Sequence, residues 1–366
     1  MSLVFRNGLE YFPRYLISHH STQERRKMDR ATAYLCTGAV LVLLMTLGVG
    51  TAVSAQTTID HLPYVIDHPD TYVLAQDFTN FKGPVAIYVH ASNVVINGNG
   101  HMIDGVDNPN SFGIRVEPYA TNYDLGTPPL RVTVNNIQIQ DFNAAVLMYQ
   151  ARNGEITDST FTSNGDGVVL QIAQRVQVLR NTFTSNSKSA FYVYQGTNNI
   201  VDNNNFASNG NGVNIYGSTG TKVRGNELMS NKIGIWLNEY STTSTVTGNA
   251  VGVAAFGEPT KIGIKVQTAG NTIYNNWFNT FRNAVATNVK NTWSTPRARA
   301  GPNIVGGAQI GGNAWTMPNG AGFSQYMPDL NLDGFVDNVN SFPTTTATYF
   351  INNNNQDFLP LKVAIV

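Results

Sequence analysis

Cysteine is almost missing from this chain: Cys36 stands alone, inside an N-terminal apolar run. The chain beyond it has no thiol, which excludes disulfide stapling and thiol catalysis there. Charge is scarce as well. Lys, Arg, Asp and Glu make up 13% of the 366 residues, and 23 basic side chains balance 23 acidic ones; ordinary globular domains carry about 25% charged residues. No basic stripe is available, which argues against a nucleic-acid partner. Asn-x-Ser/Thr sequons are absent, and so is helical periodicity. What is abundant is Gly, Asn and Thr, a composition that suits stacked strands joined by polar, uncharged turns.

The one long hydrophobic run covers residues 31–50. Arg25, Arg26, Lys27 and Arg30 precede it, and Val53-Ser54-Ala55 follows with small residues where a signal peptidase reads. The pattern predicts a secretory signal, residues 1–55, cleaved after Ala55. Met28 is an alternative start, because the 27 residues before it exceed a usual n-region. The competing account is an uncleaved anchor, the run being long enough to cross a bilayer. Membrane attachment is expected only through that segment.

From Val134 onward the sequence repeats itself every 22 or 23 residues. Val178-x-x-Asn181-x-Phe183-x-x-Asn186 is followed by Val201-x-x-Asn204-x-Phe206-x-x-Asn209, then by Val223-x-x-Asn226-x-Leu228-x-x-Asn231. Each repeat also holds an alternating run, such as Phe191-x-Val193 or Val213-x-Ile215. Period two means strand. No single repeat can bury its apolar face, whereas stacked repeats share one core. The expected fold is all-β: a right-handed parallel β-helix of 22–23-residue coils over 56–287, with an irregular C-terminal segment and cap over 288–366. The recurring Asn is expected to form a ladder, each amide bonded to its equivalent one coil along. The Gly-rich run 97–100 lacks the helix and Lys of a phosphate loop and reads as a turn.

The chain resembles the right-handed parallel β-helix superfamily and, within it, the NosD-like group. The resemblance runs from about Leu62 to Leu361. It rests on Leu62-Pro63-Tyr64-x-Ile66, on Val94-Val95-Ile96-Asn97-Gly98-Asn99-Gly100-His101, on Gly311-Gly312-Asn313-x-Trp315 and on Asp357-Phe358-Leu359-Pro360-Leu361. It implies the fold and a closing segment that caps the solenoid. For function it implies little, since the superfamily hosts lyases, epimerases, hydrolases and adhesins. NosD is named for a role in assembling a copper enzyme. Copper prefers His, Met or Cys clusters, whereas His61, His68, His90 and His101 are scattered without ligand spacing.

Asp329-Leu-Asn331-Leu-Asp333-Gly334-Phe335-Val-Asp337 matches the opening of a calcium loop. Asp329, Asn331, Asp333 and Asp337 would offer side-chain oxygens, and Phe335 its carbonyl. Asn340 stands where an EF-hand has its bidentate Glu, so affinity is expected to be weak, on the order of 10⁻⁴ to 10⁻³ M. The expected role of calcium is to fix the cap; the alternative is a solvated acidic turn.

The repeat register also sorts the outward side chains. If Leu170, Val193, Ile215 and Leu237 point inward, Tyr149, Tyr192, Tyr194, Tyr216 and Trp236 share one outward face, interleaved with Asn and Gln. Rings with amide donors nearby suit a sugar, and large exposed aromatic patches are uncommon without a partner. The competing account is packing under the 117–131 loop or the C-terminal tail. Candidates for acid–base chemistry on a sugar are Asp166, Arg175, Asp202, Arg224 and Tyr192. Asp158 and Arg180 fall on equivalent positions of adjacent coils, as do Asp202 and Arg224, so surface pairing accounts for those without catalysis. The reading is a secreted or cell-surface protein that recognises extracellular polysaccharide. A polysaccharide lyase, epimerase or hydrolase, and a structural or adhesive protein, are the alternatives.

Overall fold

An inward-pointing asparagine must find partners for a carbonyl and an amide group, and a stacked coil supplies them from its neighbours. The computed structural model is built on that solution. It describes residues 56–119, 126–252, 259–341 and 343–363. The expected signal segment, with Cys36 and Met28, lies outside them.

Each full coil holds three short strands, one on each of three faces. Face A is a parallel sheet of 10 strands that runs from Thr57–Ile59 to Thr272–Tyr274. Face B includes Thr182–Thr184, Asn205–Ala207 and Glu227–Met229. Face C includes Ser189–Tyr194, Asn211–Tyr216 and Ile233–Leu237. Equivalent strands pair in parallel, in register with the repeat: Phe161 with Phe183 and Phe183 with Phe206 on face B, Val178 with Val201 on face A. The chain is thus an all-β parallel solenoid, as the period implied.

The core is a stack of like on like. Phe183 and Phe206 are fully buried and stack at 4.8 Å between ring centres and 15° between planes. Each such burial contributes roughly 2–3 kcal/mol. At the corner between faces A and B, Arg180 and Asn203 take left-handed φ of 55° and 54°, which turns the chain and sends the next residue, Asn181 or Asn204, inward. Asn204 Oδ1 then accepts the backbone N–H of Asn181 at 2.9 Å, and Asn204 Nδ2 donates to the Val178 carbonyl at 2.8 Å. The same pattern recurs through Asn226, Asn249 and Asn276. A second ladder, Asn164, Asn186, Asn209 and Asn231, occupies the next corner.

The period fades from the sequence after Thr287, but the winding continues. Thr292 bridges to Thr272 on face A, and Ala314–Thr316 adds a strand to face B beside Trp277–Asn279. The segment expected to be irregular chain and a cap therefore also supplies the last coil. Trp293 and Trp315 fill its centre, and Tyr349 stacks on Trp315 at 4.3 Å. The antiparallel pair Tyr349–Asn352 and Asn355–Asp357 closes the end, where open strand edges and core would otherwise meet water.

Candidate functional site

In a parallel ladder every outward position recurs at the strand spacing of about 4.8 Å. Face C places Tyr192, Asn214, Trp236 and Lys265 in one column, and Tyr149, Gln171, Tyr194 and Tyr216 in the next. The five rings expected on one face share it, and each is half-buried with part of its surface open to solvent. The tail does not lie over them in the residues described; its contacts with the solenoid are at the end, where Asn352 bonds to the Ala286 carbonyl.

How the rings stand decides what they can offer. Tyr194 and Tyr216 stack on each other at 5.5 Å and 20°, so much of their π faces is already used. Tyr240, three-quarters exposed, meets Tyr216 edge-on at 6.2 Å. The Trp236 indole N–H donates to Gln267 at 2.6 Å, and the Lys265 ammonium sits 4.0 Å from the ring centre. This cation–π contact holds a positive charge on the strip itself.

The strip starts earlier than the repeats suggested. Tyr88 and Arg115 precede Leu147 in the first column, and His90 and Glu117 follow Val89 and Val116 toward the second. Three successive coils enclose a cleft of about 420 Å³ lined by Tyr88, His90, Glu117, Pro118, Tyr119, Tyr149 and Gln150. The His90 ring stacks on Tyr88 at 5.5 Å and takes the edge of Tyr119 at 5.2 Å. Its Nδ1 faces the Glu117 carbonyl at 3.1 Å. Arg115 pairs with Glu117 at 2.7 Å. The described part of the 117–131 loop forms one wall; residues 120–125 lie outside the described residues.

The five residues considered for acid–base work do not converge on one site. Asp202 and Arg224 pair at 2.8 Å on face A, and Arg175 donates to Asn153 at 2.7 Å at a corner. Asp158 and Arg180 pair at 2.8 Å as the register implied. Only Asp166 and Tyr192 lie beside the strip. Burial pushes the Asp166 carboxyl above the usual carboxylate range, against the opposing pull of the Ser189 N–H and the Lys188 charge. Burial, with smaller contributions from Tyr194 and Asp166, raises the Tyr192 phenol. Lys188 donates to Asn143 at 2.8 Å.

In the 329–337 loop the carboxylates are turned to the loop's own amides. Asp329 accepts the N–H groups of Asp333 and Gly334 at 3.1 and 2.9 Å, and Asp333 accepts that of Phe335 at 3.0 Å. Gly334 has the left-handed φ of 89° that the sharp turn needs. Asp337 is fully buried; its Oδ2 accepts the N–H of Leu330 at 2.6 Å, while its Oδ1 has no partner. Among the described residues no group of three or more His, Cys, Asp or Glu side chains is spaced to hold a metal ion.

Residues 86–320 match the family model described as periplasmic copper-binding protein (NosD). The chain belongs to the NosD family. No curated protein matches it by sequence. Among solved structures it is similar to XylC in complex with xylose, with 10% identity and a TM-score of 0.44 over 66% of this chain and 44% of that one. It is similar to the Dettilon tailspike protein, with 12% identity and a TM-score of 0.40 over 67% and 64% of the two chains. For a double mutant of the periplasmic alginate epimerase AlgG the values are 13%, 0.28, 55% and 66%. All three are matched over less than two thirds of their own length, and the likeness is one of fold alone.

The family description raises copper, and the residues present do not fit it. His61 bonds to Asp60 and His101 to Asp77, at 2.7 and 3.0 Å, and His90 is held between Tyr88 and Tyr119. Met148 is fully buried in the core. Soft-ligand clusters are what copper selects, and among the described residues no three His, Cys, Asp or Glu side chains are grouped to hold an ion.

Proposed function

We propose that this NosD-family protein works outside the cytoplasm and recognises polysaccharide along face C. The observation that carries the reading is the row of partly exposed rings in adjacent columns: Tyr149, Tyr194 and Tyr216 in one, Tyr192 and Trp236 in the other. A row with coil spacing of about 4.8 Å offers repeated apolar contact to a repeating ligand. Phenol hydroxyls and the amides of Gln171 and Gln267 lie beside it as donors and acceptors for sugar hydroxyls. The cleft at Tyr88, His90 and Tyr119 gives the row an end that can enclose one terminal sugar.

A calcium-stabilised cap is the second part of the reading. Asp329, Asn331, Asp333, the Phe335 carbonyl and Asp337 would hold the ion. The support is the unpartnered Oδ1 of a fully buried Asp337, since a buried carboxylate without a counter-charge is costly. Bound calcium would supply that charge.

The test uses protein from Gln56 onward, with calcium, in affinity gels that contain neutral or acidic polysaccharides. Retention that is lost in Trp236→Ala supports recognition. Absorbance from unsaturated sugar products would favour a lyase instead, with Asp166 and Tyr192 as the first residues to substitute. Neither retention nor product would move the reading to a structural or adhesive role.

A further inference from the structure

We propose that the polysaccharide taken by face C is acidic, and that its anionic groups are read by a basic edge made of Lys232, Lys261, Lys265 and Arg282. This inference rests on the reading of face C as a glycan surface and adds the class of glycan.

The edge follows from the register. Lys261 donates its backbone N–H to the Asn231 carbonyl, which sets it beside Lys232 on the adjacent coil. Both are exposed and stand at the corner where the chain enters face C, immediately before the strands Ile233–Leu237 and Ile262–Val266. Arg282, also exposed, follows one coil further on, where its carbonyl accepts the Gly263 N–H. Lys265 projects from the strand itself, over Trp236. Four cations therefore line the end of the aromatic strip that carries Trp236.

Those cations have no anionic partner among the described residues. Several other basic side chains of the solenoid hold a polar partner: Arg180 with Asp158, Arg224 with Asp202, Arg115 with Glu117, Arg175 with Asn153 and Lys188 with Asn143. Among the described residues no carboxylate lies within ion-pair reach of Lys232, Lys261, Lys265 or Arg282. In a chain with only 13% charged residues, unpaired like charges on successive coils repel one another across about 5 Å. A polyanion removes that repulsion. A uronate or sulfated sugar, with an apolar ring face and a charge on its rim, would place the ring on the Trp236 side and the charge on the lysines. The acidic residues near the strip do not pair with this edge: Asp166 accepts the Ser189 N–H, Glu117 pairs with Arg115, Glu227 projects from face B, and Glu239 follows the strand Ile233–Leu237.

The test compares polymers that differ only in charge. Polygalacturonate is set against its methyl ester, and dextran sulfate against dextran, each titrated with wild-type protein, with the double variant Lys232→Gln/Lys261→Gln and with Lys265→Gln. The expected result is binding of the charged polymer at least tenfold tighter than its neutral partner, weakening as salt rises. The double variant should lose at least fivefold in affinity and show a shallower salt dependence. Unchanged thermal midpoints keep misfolding out of the comparison. Equal, salt-insensitive binding of charged and neutral polymers would overturn the acidic-glycan inference and leave face C as a glycan surface. Binding of none of them, by a folded protein, would overturn both.

Discussion

Asp357 takes the place that the next asparagine of the ladder would hold: its Oδ2 accepts the backbone N–H of Asn313 at 2.7 Å, as each Asn accepts that of its predecessor. The same carboxylate accepts the indole N–H of Trp315 at 2.8 Å and the Leu359 N–H at 3.1 Å. The ladder thus ends on an acid that accepts from Asn313, Trp315 and Leu359 and pairs with no cation among the described residues. Burial outweighs those donors and lifts the Asp357 carboxyl to about 7.

A pH dependence follows. An acid whose folded pKa lies above its unfolded value of 3.8 holds its proton more tightly when folded. Its contribution is therefore most favourable below about pH 4 and is lost as pH rises through about 7. The upper limit for this one group is roughly 4 kcal/mol. Thermal unfolding measured from pH 4 to 8 should show the midpoint fall across that window, after allowance for the other carboxylates. Asp357→Asn should flatten this part of the profile. A slope unchanged in the variant would remove Asp357 as its source.

The ladder's interior makes a different demand. Asn204 is buried, and its loss orphans the backbone N–H of Asn181, removes one of the two acceptors of the Asn181 amide, and breaks the bonds to Val178 and Asn226. Asn204→Ala should destabilise the protein by about 2–4 kcal/mol, because each buried polar group left unsatisfied costs about 1–3 kcal/mol. Ser208→Ala, at an exposed corner of the same coil, should change stability by less than about 0.5 kcal/mol. Urea unfolding of both variants checks the contrast.

Much of this architecture was legible in the sequence because each coil repeats the same inward set. Val178, Asn181, Phe183 and Asn186 name the corners and core of one coil, and the alternation around Val193 and Ile215 fixes which side chains face out. Tyr88, His90, Arg115 and Glu117 were missed because the early coils carry insertions of unequal length, which hide their alignment with Tyr149 and Tyr192. The ladder's end was missed for two reasons. Asp357 is an acid among amides, and 44 residues separate it from Asn313. The stacking of Tyr194 on Tyr216 is likewise invisible in a register, which orders side chains but does not orient rings.

Calcium should act on the cap. If the affinity is about 10⁻⁴ M, then 10 mM calcium should stabilise the folded state by roughly 2.7 kcal/mol, read as a rise in thermal midpoint that magnesium does not reproduce. Asp333→Ala, partly exposed in the loop, should abolish the rise while leaving the metal-free midpoint nearly unchanged. No shift with calcium would leave the loop as an acidic turn closed by its own amides.

The reading of face C is tested most directly by calorimetric titration with the polysaccharide that the affinity gels retain. Four proteins are compared: wild type, Trp236→Ala, Tyr194→Ala and Tyr274→Ala, the last an outward ring on face A. If face C is the binding surface, the first two variants lose at least tenfold in affinity and Tyr274→Ala binds as wild type. Equal affinity in all four, or a loss confined to Tyr274→Ala, would contradict it.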